Sequence, residues 1–220
     1  MKTIHAQPFD YSFDPKSTAL IVIDMQRDFV EPGGFGEVLG NDVSLVRRAI
    51  EPCRLVLEAA RKAGLLIIHT REGHRPDMTD CPAAKKTRGG KTFIGENGPM
   101  GRILIRGEKG HDIIPEVYPK VGEPILDKPG KDAFYSTDLE LMLRTRGIKS
   151  VFICGVTTEV CVQSTAREAN DRGFEVLIPE DACASYFPEF HKAAIDMMKA
   201  QGAIVAWVAT AKQVAEALEQ

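Results

Sequence analysis

Three reactive side chains in this sequence each follow a short apolar run. Cys161 lies in Cys154-Gly155-Val156-Thr157-Thr158-Glu159-Val160-Cys161-Val162. Val151 to Cys154 is apolar, a Gly follows, and a helix-compatible run carries the thiol, which reads as buried strand, tight turn and helix start. Such a turn sets a thiol at the carboxyl edge of a parallel sheet, beside unpaired backbone N–H groups and the positive end of a helix dipole. Those conditions favour a thiolate and hold an oxyanion, so Cys161 is the candidate nucleophile, with the N–H groups of Thr157 and Cys161 as oxyanion donors. Asp24 ends the apolar run after Thr18 and is the candidate base. Lys128 follows Pro124 to Asp127 and supplies a positive charge that favours both anions. Alone, Asp24 reads as a loop-capping carboxylate and Lys128 as a solvated charge. Together with Cys161 they read as cysteine attack on a carbonyl.

The elements that must position them alternate along the chain. Residues 1–16 read as an extended arm. Strands are expected at Thr18 to Ile23, Leu65 to His69, Pro124 to Asp127, Lys149 to Cys154, Phe174 to Ile178 and Ala203 to Val208. Helices are expected at Ser44 to Ala63 (ending at Gly64, with Pro52 predicting a kink or two shorter helices), after Thr137, at Thr158 to Asp171, Pro188 to Ala200 and Ala211 to Leu218. Thr137 with Glu140 predicts a capping box, and Thr210 caps the last helix. Residues 25–43, with Pro32-Gly33-Gly34, read as a loop. Alternating strands and helices predict a parallel sheet with helices on both faces, in one domain spanning residues 1–220. Ligands of such sheets bind beyond the carboxyl ends of the strands, where all three reactive residues fall. Residues 71–124 hold nine Gly and few apolar residues besides Ile103-Leu104-Ile105 and Ile113-Ile114, so a segment covering the site or making oligomer contacts is expected.

Bulk properties narrow the class. The chain has 220 residues, is 44% hydrophobic and 27% charged, and carries a net charge of −3. That suits a soluble domain with a sizeable core. No basic block points to nucleic acid, and no apolar run is long enough to span a bilayer. The amino terminus shows no signal core, so a cytoplasmic location is expected. Five cysteines, at 53, 81, 154, 161 and 183, have no CxxC spacing and argue against a disulfide framework. Cys154 and Cys53 read as core residues, and Cys183 as packing near the site.

The segments Ile23-Asp24-Met25-Gln26, Lys128-Pro129-Gly130-Lys131 and Gly155 to Val162 resemble the isochorismatase-like cysteine hydrolases over roughly residues 17 to 210. His69 to Asp77, Asp112-Ile113-Ile114-Pro115-Glu116 and Arg167 to Gly173 look like the biuret hydrolase branch, whose relatives act on triuret, ureidoacrylate and N-carbamoylsarcosine. The resemblance implies a three-layer α/β/α sandwich with a six-stranded, mostly parallel sheet. It implies a cis peptide between Val156 and Thr157 that aims the Thr157 N–H at the oxyanion. It implies two-step acyl transfer, with Asp24 taking the Cys161 proton, and no cofactor. Nicotinamidases of the superfamily bind a metal through an Asp-x-His motif; here that place reads His69-Thr70-Arg71, so no metal is expected, and stoichiometric zinc would overturn this.

The expected substrate is a small ureide or amide, with homo-oligomer formation (dimer or tetramer) implied by the resemblance. Urea-like compounds are dense in N–H donors and C=O acceptors and need polar partners. Gln26 is two residues from Asp24, and Gln201, by resemblance, contacts the substrate amide. Phe29 and Phe134 are candidate pocket walls or core residues, and Lys131 a second pocket charge or a surface residue. Arg71, Glu72 and Arg75 read as solvated loop charges. Activity is expected to fall in acid as the Asp24–Cys161 pair gains a proton.

Overall fold

A computed structural model describes residues 1–86 and 94–220. Seven strands form the central sheet: β1 Thr18–Ile23, β2 Leu66–Glu72, β3 Ile125–Lys128, β4 Ser150–Val156, β5 Glu175–Pro179, β6 Cys183–Ala184 and β7 Trp207–Ala209. Six run in the order β7-β5-β4-β1-β2-β3, and the two-residue β6 pairs β4 beyond the end of β5; every pairing is parallel. The expected six-stranded parallel sheet is present with this short seventh strand added. All residues of β1 and β4 are buried, which explains their unbroken apolar runs.

Five longer helices cover the sheet: α1 Ile50–Ala63, α2 Leu139–Thr145, α3 Gln163–Asp171, α4 Pro188–Ala203 and α5 Ala211–Glu219. From β1 the chain crosses to β2 on one side; from β4 it crosses to β5 and β7 on the other. Right-handed connections running in opposite directions place α1 on one face and α3 and α4 on the other, and α5 packs against α1. The order therefore reverses between β1 and β4, and the crevice at their carboxyl ends is where such sheets bind ligands.

Several boundaries differ from expectation. The expected helix over 44–63 is two, Val43–Arg47 and α1, but they separate before Pro52. Pro52 sits in the first turn of α1, where a missing N–H costs little. Gly64 caps α1 with φ +73. Residues 25–43 hold two single helical turns, Arg27–Val30 and Phe35–Val38. Asp138 immediately precedes α2 but its side chain makes no cap; Thr137 Oγ1 accepts from the Leu139 N–H at 3.2 Å and donates to Ala133 O, while Glu140 turns to Arg172 and Arg144, so the expected capping box is only half formed. Thr210 and Gln213 form a complete capping box on α5. The amino-terminal arm is a hairpin, Lys2–Ile4 with Tyr11–Phe13, whose Tyr11 hydroxyl donates to Ser150 Oγ at 2.8 Å. Its apolar side joins a single buried cluster running from Ile4 to Leu218.

Residues 103–114 of the segment 71–124 lie over the carboxyl edge. Ile103, Leu104, Ile105, Ile113 and Ile114 are all buried. Gln26 bridges to Ile113 and His74 to Ile105, so the segment is pinned to the loop after β1 and the end of β2. Residues 87–93 of this segment lie outside the described residues.

Candidate active site

Close approach of β1 and β4 builds the site. Ile23 and Gly155 are register partners, and a Cβ on Gly155 would lie 2.0 Å from the Ile23 carbonyl oxygen. Only Gly fits there, and its φ of +116 is open to Gly alone at low cost. The peptide Val156–Thr157 that follows is cis. The chain then enters one π turn, Thr158–Val162, before α3, rather than the α-helix expected from Thr158. The Thr157 carbonyl accepts from the N–H groups of Val160 and Val162, and Thr158 Oγ1 lies 2.8 Å from His191 Nδ1 on α4. These bonds fix the turn that carries Cys161.

Asp24 has φ +49, uncommon for a residue with a side chain, and is held from two sides. Thr70 Oγ1 donates to Asp24 Oδ1 at 2.6 Å and accepts from the Asp24 N–H at 3.2 Å. Lys128 Nζ lies 2.7 Å from Asp24 Oδ2 and donates to Gly130 O at 3.0 Å. Both charged side chains are fully buried. Burial alone would lower the Lys128 ammonium, but the Asp24 and Glu72 charges outweigh it and hold it above the ordinary lysine range.

A second carboxylate completes the cluster. Glu72 ends β2 in register with Lys128 and is buried, not solvated as its sequence neighbourhood suggests. One oxygen each of Asp24 and Glu72 and the Cys161 sulfur lie within 4.8 Å of one another. Glu72 Oε1 meets Lys131 Nζ at 2.5 Å and Lys85 Nζ at 3.1 Å, while Oε2 takes the Cys161 thiol at 3.6 Å. Burial alone would raise the Glu72 carboxyl, yet Lys128, Lys131 and Lys85 bring it down to about 2. The same burial pushes the Cys161 thiol well above its ordinary value, against the lowering effect of Lys128. The expected resting thiolate is therefore corrected. Low dielectric and two neighbouring carboxylates keep the thiol protonated at rest.

The remaining expected site residues fall in different places. Gln26 is buried, but its amide is engaged: Nε2 donates to the carbonyls of Glu72 and His111 at 3.0 Å, and Oε1 accepts from the Glu72 N–H at 2.7 Å. It holds Glu72 instead of presenting itself to a ligand. Phe134 stacks on Phe174, 6.1 Å between centroids, under the Arg172 guanidinium; Phe174 precedes β5, so Phe134 belongs to the amino edge of the sheet. Gln201 is exposed, with φ +52, where α4 ends. Because α4 starts near the carboxyl edge and runs back, Gln201 of the same chain stands at the edge opposite Cys161. Phe29 is half-buried against the core in the turn after Asp24, its carbonyl taken by Tyr186 Oη at 2.6 Å. Lys131 reaches the site through Glu72. Cys154 Sγ contacts Cys53 Sγ at 3.4 Å beneath the turn, and Cys183 is buried against the Ile153 carbonyl.

Sulfur and two carboxylates at this spacing are atoms that ligate metals. Here ammonium groups stand against the same carboxylates at 2.5 to 3.1 Å, occupying with positive charge the space a cation would need. His69 Nε2 pairs with Glu123 Oε2 at 3.0 Å, and His74 lies against Lys85 and Asp80. Glu123 is also bound by Arg61, at 2.7 and 2.8 Å. Burial alone would raise the Glu123 carboxyl; Arg61, the Lys120 N–H and His69 bring it down to about 2. A depressed carboxyl contributes stability above its unfolded value and loses it as pH falls through the folded value. Urea midpoints of the wild type are thus expected to drop between about pH 4.5 and 2, and E123Q to flatten part of that slope while costing about 1–3 kcal/mol at neutral pH. An unchanged slope in E123Q would remove Glu123 from the acid sensitivity.

A groove of about 850 Å³ is lined by Gly64, Leu66, Pro124, Leu141 and Arg146 at the amino edge of the sheet. It holds none of the reactive groups, so chemistry and not size locates the site.

A parallel α/β sheet with a buried thiol and a carboxylate–ammonium pair at its switch point defines an α/β enzyme with a cysteine at the centre of its site. The chain belongs to the isochorismatase family: residues 18–213 match the family model described as the isochorismatase domain. Among solved structures it is similar to a cysteine hydrolase from Pseudomonas syringae pv. phaseolicola 1448A, at 25% identity over 95% of each chain and a TM-score of 0.80. It is similar to an N-carbamoylsarcosine amidase from Thermoplasma acidophilum, at 25% identity over 89% of this chain and 96% of that one, TM-score 0.68. It shares its fold with a pyrazinamidase/nicotinamidase from Streptococcus mutans UA159, at 24% identity over 88% and 100%, TM-score 0.70. It is an isochorismatase-family hydrolase. Among the described residues no helix is long and apolar enough to cross a membrane.

Proposed function

We propose that this protein is a cysteine amidohydrolase that cleaves the C–N bond of a small linear ureide or amide, with biuret, giving allophanate and ammonia, as the foremost substrate. Triuret, ureidoacrylate, guanylurea and N-carbamoyl amino acids are the neighbouring choices. The observation that carries the reading is the buried convergence of the Cys161 sulfur with Asp24 and Glu72 within 4.8 Å, beside Lys128. The amidase likeness and the resemblance of the His69 to Asp77 segment to biuret hydrolases support the choice of an amide substrate.

The chemistry follows from the proton inventory. The resting thiol is neutral, so attack and proton loss are coupled: Asp24, paired with Lys128, takes the thiol proton as sulfur bonds to the carbonyl carbon. The N–H groups of Thr157 and Cys161 receive the oxyanion. The C–N bond then breaks, and the leaving nitrogen takes the proton from Asp24. Water hydrolyses the thioester and restores the thiol. A homo-oligomer stands as part of this proposal, and light scattering at the mass of one chain would remove it.

The test is ammonia release over biuret, triuret, ureidoacrylate, carbamoylsarcosine, guanylurea and nicotinamide. Turnover of biuret above the rest is expected. Pyruvate release from isochorismate with no ammonia from the panel would replace the reading with vinyl ether hydrolysis.

A further inference from the structure

Among the described residues, Glu72 supplies the carboxylate oxygen that takes the Cys161 thiol. Asp24 has both oxygens engaged, by Thr70 and Lys128. Glu72 has Oε1 anchored by Lys85 and Lys131, whereas among the described residues Oε2 meets only the Cys161 thiol, at 3.6 Å. Gln26 fixes the backbone on both sides of this residue, so the carboxylate is aimed rather than swinging. Its three lysine neighbours keep it ionised, and an ionised carboxylate is an acceptor only. Once a carbonyl carbon bonds to the Cys161 sulfur, the substituents of that carbon occupy the shell in which Oε2 already lies. A substituent with an N–H gains a charge-assisted hydrogen bond there. An oxygen in the same place meets a buried negative charge.

We propose that Glu72 is a specificity-determining residue, with Oε2 accepting an N–H of the leaving nitrogen, so that the site takes N–H-bearing amides and discriminates against the matching esters. The inference rests on the amidohydrolase reading. It adds no step to the proton balance: sulfur–carbon forms, carbon–nitrogen breaks, the thiol proton reaches the nitrogen through Asp24, and Glu72 stays ionised throughout. The hydrogen bond also orients the leaving nitrogen, turning its lone pair toward the proton on Asp24.

The experiment compares biuret with methyl allophanate, in which an ester oxygen replaces the leaving nitrogen, reading ammonia from one and methanol from the other. In E72Q the side-chain oxygen is held by the lysines and the new NH2 faces the substrate donor. For biuret, kcat/KM is expected to fall about 10- to 100-fold in E72Q, mostly through KM. The ratio of kcat/KM for biuret to that for methyl allophanate is expected to fall about 10-fold or more, a split that misfolding or a disabled nucleophile, lowering both substrates alike, cannot produce. E72D, which keeps the charge but withdraws it by one methylene, is expected to lie between. A parallel fall on both substrates overturns the inference and makes Glu72 part of the acid–base or folding machinery; no change on biuret overturns it as well. Wild-type enzyme that releases methanol but hydrolyses no amide overturns the amidohydrolase reading itself, a result distinct from either.

Discussion

C161S is expected to lower ammonia release by at least about 10³-fold while leaving the thermal midpoint where it is. The two halves of this result have separate causes. Serine has nearly the volume of cysteine, and its hydroxyl can donate to Glu72 Oε2 where the thiol now does, so the buried pocket keeps its packing and its hydrogen bond. The chemistry does not survive. A hydroxyl gives up its proton far less readily than a thiol, and the same burial that raises the thiol raises it further. C161S with full activity on every ureide would remove the nucleophile assigned here.

Lys128→Met is expected to cost both activity and stability. The Lys128–Asp24 pair is fully buried, with 2.7 Å between its charged atoms. Removing one partner of such a pair leaves an uncompensated charge in the interior, a loss of about 3–5 kcal/mol. In a chain of this length that lowers the melting temperature by on the order of 10 °C. Without Lys128 the Asp24 carboxylate also loses the partner that holds it in the site, so turnover falls with stability. Adding Asp24→Asn to Lys128→Met removes the orphaned charge. The double variant is therefore expected to melt above Lys128→Met alone while staying inactive. A double variant that melts at the sum of the two single losses would show that the pair is not coupled.

The triad was legible because each member follows an apolar strand, and in a parallel sheet buried on both faces the first polar residue after such a run marks the carboxyl edge. Glu72 was not legible for the complementary reason. The last four residues of β2, His69 to Glu72, are polar, and Arg71 and Glu72 read as loop. The strand continues through them because each side chain has a partner: His69 with Glu123, Thr70 with Asp24, Arg71 with Asp127 and Glu72 with the lysines. A run of satisfied polar groups in the middle of a sheet has no periodic signature. Gln201 is a different case. The direction of α4 follows from the topology, so its end at the amino edge could have been read from the order of elements alone. Phe134 depended on how the chain after Lys128 returns along α3, which only the packing decides.

All five cysteines are buried, and Cys161 is 4% exposed. Labelling by iodoacetamide would then not rank these thiols by nucleophilicity; it would time the exposure of each. At high reagent concentration the rate at Cys161 is expected to level off at a value independent of the alkylating agent, because uncovering of the carboxyl edge becomes limiting. Substrate or product held behind the 71–124 segment would slow that rate. The reactive thiol thus becomes a clock for how often the site opens, and comparing that clock with kcat would tell whether turnover waits on chemistry or on entry.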